Sequence, residues 1–278
     1  MSDLHSINEA INKKAGRKLL PSIGVGLSLI SLVWFALSYQ RVIFAIVVAI
    51  AVVLGVRELV RAFSARGVVI SFNGLTLAAI GLSYAAWVGG VAGLAIATAI
   101  AFPLLLIRAL LQGPDGFVAK ATATTFGLLY LPFLAGFLIL LARPSTGFQR
   151  VMTFMVLVGC NDTFGYLVGV LIGKHPMAPK ISPKKSWEGF VGALVLQLIV
   201  GVVLWIYVFD QPWWEGAIVG FVMMLTATIG DLVESMIKRD LGIKDMGSLL
   251  PGHGGVMDRL DSLVINAFMA WLLFGFFL

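Results

Sequence analysis

The stretch GVVISFNGLTLAAIGLSYAAWVGGVAGLAIATAIAFPLLLI, residues 67–107, runs 41 residues without an Asp, Glu, Lys or Arg. A bilayer core of about 30 Å is crossed by about 20 residues of helix rising about 1.5 Å each, so a single crossing cannot use this length. Gly89-Gly90 lies near its middle, where glycine permits a tight reversal. The stretch therefore reads as two membrane spans joined by a hairpin, and the chain as an all-α polytopic membrane protein.

The flanking sequence repeats the pattern. Further spans at 19–40, 42–56 (extended through Glu58 and Val60), 121–142, 151–172, 189–209, 216–237 and 260–278 bring the expected total to nine. Composition agrees: 59% of the 278 residues are apolar and only 12% are charged, with a mean hydropathy of +0.98. Soluble domains carry about 25% charged residues, because a folded surface must be wetted. With the N-terminus cytoplasmic, 17 of the 20 Lys and Arg residues fall on the inner side, leaving Arg41, Arg143 and Arg150 outside. The C-terminus then faces away from the cytoplasm, where Trp213 and Trp214 serve as interfacial anchors. Residues 1–18 are polar and place Leu4, Ile7 and Ile11 at helical spacing, reading equally as an interfacial helix or a solvated tail. No repeat or linker divides residues 1–278, so one domain is expected. The net charge of +6 is scattered between apolar runs, which excludes a nucleic-acid stripe. The one cysteine, Cys160, excludes an internal disulfide framework.

Charges inside a membrane cost a few kcal/mol or more and need a reason. Asp162 lies near the middle of the sixth span. Asp231 and Glu234 stand one turn apart in the eighth, and Asp258 and Asp261 open the ninth on one face. Carboxylates gathered in low dielectric repel unless a cation sits among them, and hard oxygen ligands suit Mg²⁺. An Asp–Lys or Asp–Arg ion pair is the alternative. Two inner loops carry the opposite charge. Residues 173–188 hold Lys174, Lys180, Lys184 and Lys185 with Ser182 and Ser186, and their prolines oppose a regular helix. Residues 238–261 hold Lys238, Arg239, Lys244 and the run Pro251-Gly252-His253-Gly254-Gly255, whose glycines let backbone N–H groups approach a polyphosphate. Metal, polyphosphate and lipid together fit phosphoryl or nucleotidyl transfer at the inner leaflet. A secondary transporter with midplane acids is the rival reading, although no internal repeat supports it.

Ser235-Met236-Ile237-Lys238-Arg239, Lys244-Asp245, Gly247, Leu250-Pro251, His253-Gly254-Gly255 and Asp258-Arg259-Leu260-Asp261 resemble the signature of phosphatidate cytidylyltransferases at every fixed position. The block from Lys180 to Gly189 is similar to a second one found in bacterial members, so the resemblance covers about residues 160–262, the expected catalytic core. It implies the reaction CTP + phosphatidate → CDP-diacylglycerol + pyrophosphate in phospholipid synthesis. It also implies an all-helical homodimer in the cytoplasmic (inner) membrane, with a cytoplasm-facing polar cavity. On that pattern Asp231 and Asp258 are Mg²⁺ ligands with Asp261 as a linked third acid, Asp162 and Glu234 are additional candidates, and a second cation is a further expectation. Phe164 departs from the pattern, where a smaller residue is expected.

The attacking phosphate of phosphatidate is already anionic, so no strong base is needed and His253 is expected to hydrogen-bond a phosphate or fix the glycine loop. Lys184, Lys185, Lys238, Arg239 and Arg259 are expected to neutralise the phosphates, and Arg259 suits an ion pair with its neighbouring acids equally well. Lys180, Ser182, Lys244, Gly254 and Gly255 complete the phosphate-binding set. His5 and His175 read as incidental surface residues. Nearer rivals are a CTP-dependent polyprenol kinase, which the full signature disfavours, and an archaeal-lipid cytidylyltransferase.

Overall fold

The apolar runs fold as helices in a computed structural model that describes residues 19–249 and 254–278, apart from the side chains of residues 19–27 and of Asp261. The segment 1–18 and residues 250–253, His253 among them, lie outside the described residues. In chain order the elements are α1 (Leu19–Tyr39), α2 (Arg41–Ala65), α3 (Phe72–Leu110), α4 (Phe117–Leu128), a π-helical turn (Leu129–Phe133), α5 (Leu134–Ala142), α6 (Gly147–Ile172), β1 (Pro176–Ala178), β2 (Ser182–Ser186), α7 (Trp187–Phe209), α8 (Trp213–Asp240) and α9 (Met257–Phe277). Seven helices, counting α4 to α5 as one rod, are long and apolar enough to cross a membrane among the described residues, as a multi-pass membrane protein requires.

The 41-residue uncharged stretch behaves as its length demands. α3 reverses at Gly90, whose φ of 63° and ψ of −147° are open in practice only to glycine. Past the turn the limbs lie side by side. A Cβ on Gly74 would stand 2.8 Å from Leu105 Cδ2, and one on Gly93 would collide with the Ala85 carbonyl. The Arg143 guanidinium fills the space beside Gly90 and donates to the Val88 carbonyl at 2.9 Å, closing the hairpin tip.

Pro132 lacks an N–H and falls within the π turn between α4 and α5, where the regular helical ladder is already interrupted. That rod is the most buried of the spans, with Leu128, Leu131, Ile139 and Leu141 fully enclosed. α9 packs against it and against α8. α7 and α8 cross on glycines: a Cβ on Gly220 would lie 2.6 Å from the Gln197 carbonyl oxygen, and one on Gly201 would lie 3.1 Å from Gly220 Cα. Small residues let helix backbones approach in lipid, where dispersion contacts replace the hydrophobic effect. Gly220→Leu is therefore expected to lower the thermal midpoint in detergent by several degrees, an overpacking cost of about 1–3 kcal/mol. Gly275→Leu, where nothing lies within 4 Å of the added Cβ, is expected to leave it unchanged.

Two expectations need correction. The 173–188 loop is not wholly irregular: β1 and β2 pair antiparallel, Pro176 with Ser186 and Ala178 with Ser182, so the fold carries one small β-hairpin. Pro176 and Pro183 sit in a two-stranded ribbon, where a missing N–H can face outward at an edge, and Pro179 lies in the turn between the strands. The eighth span reaches Asp240 instead of ending at 237, which brings Lys238 and Arg239 into the helix. Both favour that last turn, since cations oppose the negative end of the helix dipole.

Candidate active site

Asp231, Glu234, Ser235 and Lys238 recur at helical spacing and share one face of α8. Glu234 is completely buried and forms an ion pair with Lys238 one turn later. Lys238 also donates to Asp258 Oδ1 at 2.9 Å, so one ammonium bridges acids from α8 and α9. Asp258, buried in the first turn of α9, takes three further contacts from backbone. Met246 N–H lies 3.3 Å from Oδ1 and 3.0 Å from Oδ2, and Gly255 N–H donates to Oδ2 at 2.7 Å. The carboxylate thus pins the loop that precedes its own helix.

The glycines of that loop surround carboxylates. Gly254 has φ +80°, and a Cβ there would lie 2.7 Å from Asp258 Oδ2. Gly255 N–H, expected to be open to a phosphate, is committed to Asp258. A Cβ on Gly255 or on Gly247 would collide with the carboxylate of Glu58. Glu58 belongs to α2, is buried, and accepts from Val256 N–H at 3.1 Å and Met257 N–H at 2.8 Å. The sequence offered one signal for it, a charge within an apolar helix, but Arg57 and Arg61 beside it gave no hint that its partners are distant backbone amides.

The β-hairpin closes the site from a third direction. Successive strand residues point to opposite faces. Lys185 accordingly reaches Asp231 as an ion pair, while Lys184 is exposed. Arg239 donates Nε to the Ile181 carbonyl at 3.1 Å and ties the hairpin to the end of α8. Ser186 caps α7 by accepting from Gly189 N–H at 3.1 Å. His175, expected to be incidental, is exposed but lies with Nδ1 2.6 Å from Glu188 Oε1. Glu188 also accepts from Lys174 and His175 N–H at 3.0 and 3.2 Å, so that pair shapes the hairpin's entry.

Of the expected residues, Asp231, Glu234, Lys185, Lys238, Asp258 and Gly255 are brought together. Lys180, Lys184 and Lys244 are exposed around them, and Ser182 is half-buried in β2. Arg259 is half-buried, and its Nε finds no hydrogen-bond partner among the described residues. Asp162 is exposed on α6, within 3.4 Å of Asn161 Nδ2.

Both expected metal ligands carry lysine partners, the alternative that the sequence left open. Among the described residues no three His, Cys, Asp or Glu side chains converge as an ion's ligand set. The donor chemistry nevertheless fits a hard divalent cation at Asp231. Its side chain is 34% exposed, and beyond Lys185 it has, among the described residues, only a long 3.5 Å contact from Ser235 Oγ. Asp258 already accepts from Lys238 and from the Met246 and Gly255 N–H groups. A separate cavity of about 530 Å³ opens beside Arg41 at the start of α2, the end of that helix remote from Glu58. It holds no acid, and the Arg41 guanidinium is bound to the carbonyls of Arg143 and Pro144.

Residues 22–277 match the model of the cytidylyltransferase family. The chain is 39% identical over 274 residues to the phosphatidate cytidylyltransferase of Mycobacterium leprae, covering 93% of this chain and 88% of that one. It is 37% identical over 272 residues to the Mycobacterium tuberculosis protein of the same name, covering 93% and 83%. Phosphatidate cytidylyltransferase 4, chloroplastic, of Arabidopsis thaliana is 34% identical over 203 residues, covering 63% and 51%.

Proposed function

The chain belongs to the cytidylyltransferase family, and from that premise we propose that it converts CTP and phosphatidate to CDP-diacylglycerol and pyrophosphate. The observation that carries the reading is the meeting of the acids Asp231, Glu234 and Asp258 with the basic strand Ser182–Ser186 at one end of the bundle. A site of this composition holds polyphosphate by charge and position more than by covalent chemistry.

An oxygen of the lipid phosphate attacks the α-phosphorus of CTP, a new P–O bond forms, and the bond to the β-phosphate oxygen breaks as pyrophosphate leaves. The nucleophile is already anionic, so no proton has to be removed and no histidine base is required. Lys180, Lys184 and Lys244, exposed around the cluster, with Arg239 and Arg259, would neutralise the triphosphate and the departing pyrophosphate. Ser182, Gly254 and His253 would position the phosphates. Asp231, with Asp258 and Asp261 as the resemblance implies, would hold Mg²⁺, which would supply charge neutralisation to the phosphates. Lys238 holds Glu234 and Asp258 in place and thereby fixes the floor of the site.

The same proposal includes the topology. The reversal at Gly90 makes two crossings of α3, and with α1 the total becomes nine. An inner N-terminus then puts the acid cluster and the hairpin on the cytoplasmic face of the inner membrane, the side that CTP reaches. The resemblance extends the proposal to a homodimer.

Purified protein in detergent or proteoliposomes, given phosphatidate, Mg²⁺ and CTP labelled at the α-phosphate, is expected to move label into lipid with one pyrophosphate released per product. Chelation with EDTA should stop the reaction and added Mg²⁺ should restore it. Asp231→Ala should remove activity. No labelled lipid from the wild type, or full activity in Asp231→Ala, would overturn the reading.

A further inference from the structure

We propose that α2 is the positioning element of the site, with Glu58 and Arg66 gripping the two ends of the 241–256 loop. The catalytic part of this inference rests on the activity proposed above; the structural part does not.

Arg66 meets the end of α8, donating Nη2 to the Asp240 carbonyl at 2.7 Å and Nε to the Leu241 carbonyl at 2.9 Å. The next residue, Gly242, has φ +67°, and a Cβ there would lie 2.7 Å from Arg66 Nη2. At the far end of the loop Glu58 takes Val256 and Met257 N–H, one on each carboxylate oxygen. The first N–H groups of a helix have no partner within it, so an outside acceptor has to satisfy them when they are buried. The signs suit the helix dipoles: a cation at the C-terminus of α8 and an anion at the N-terminus of α9. Glu58 and Arg66, the residue that caps the C-terminus of α2, are eight residues apart, about 12 Å at helical rise.

The loop between these grips carries Lys244, Gly247 and the Gly254-Gly255 pair, with Met246 N–H fastened to Asp258. Two of its glycines are small because Glu58 occupies the space beside them. A carboxylate from the N-terminal half thus holds Val256 and Met257 and lies against Gly247 and Gly255 in the C-terminal third, without belonging to the phosphate-facing set. Its effect on the reaction would pass through the loop.

Hydrogen exchange on the full-length protein, wild type against Glu58→Gln, tests this. The Val256 and Met257 amides should exchange at least about tenfold faster in the variant, since hydrogen bonds to a charged group are stronger than those to a neutral one. Amides of α4 and α5 should keep wild-type protection. KM for CTP should rise about tenfold with KM for phosphatidate little changed, and Glu58→Asp, which restores the charge, should recover part of the loss where Glu58→Ala does not. Unchanged exchange at those two amides, acceleration spread evenly through the bundle, or a wild-type KM for CTP would overturn the proposal. If Glu58→Gln does not fold, Arg66→Gln carries the test, because Arg66 is exposed and its loss should speed exchange over 241–246. A wild-type protein that makes no CDP-diacylglycerol would overturn the proposed activity alone, and the exchange result would still decide the grip.

Discussion

Asp258→Asn is expected to reduce CDP-diacylglycerol formation at least about a thousandfold, the scale on which losing fixed electrostatic groups lowers turnover. The substitution keeps the size of the side chain and changes two things. It removes the charge facing Lys238, and it puts an NH₂ group where one of the carboxylate oxygens now accepts. With Lys238 on one oxygen and the Gly255 and Met246 amides on the other, either orientation of the amide sets donor against donor. Leaving buried donors unmatched costs about 1–3 kcal/mol each, so the loop should shift and the bridge between α8 and α9 should open. Asp258→Glu should fail as well, because the longer side chain cannot serve the same backbone amides. Labelled-CTP assays paired with melting curves separate the outcomes. A folded variant within threefold of wild type would show that this carboxylate neither positions the loop nor serves the reaction.

How much of this was legible in the sequence depends on whether the physics was local. The reversal at Gly90 followed from length alone, because an uncharged stretch of 41 residues exceeds one crossing and glycine is the residue that can turn there. The acids were legible for a similar reason: buried charge is costly wherever it occurs. Their partners were not. The sequence assigns Lys185 and Lys238 to the phosphates, and only the pairing of β1 with β2 shows that Lys185 points at Asp231 while Lys184 points away. Pro176 and Pro183 argued against a helix without revealing a strand, since the ribbon is fixed by its register and its contact with Arg239. Glu58 was read as the tail of an apolar span because its acceptors' partners are backbone amides 198 and 199 residues away. No periodicity reports a contact of that kind. For the glycines the sequence suggests an open approach to phosphate, and the structure adds neighbouring carboxylates as a reason for their size.

Lys238→Met should cost more in stability than any surface substitution, about 3–5 kcal/mol, because it strands buried acids that now share one ammonium. Methionine fills a comparable volume, so the loss would come from charge and not from a cavity. That origin can be tested by a double-mutant cycle. Pairing Lys238→Met with Glu234→Gln removes one of the two stranded charges and should recover stability, with a coupling of about 0.5–3 kcal/mol between the two positions. Lys238→Arg should keep most of the stability by preserving the positive charge, yet lose activity, since a planar guanidinium cannot stand between the two carboxylates in the geometry of a compact ammonium. The pair of results distinguishes two meanings of this lysine. If it acts only by contacting a phosphate, Lys238→Met should fold as well as wild type and lose turnover alone. If it is the bridge seen between Glu234 and Asp258, stability and turnover should fall together in Lys238→Met and come apart in Lys238→Arg.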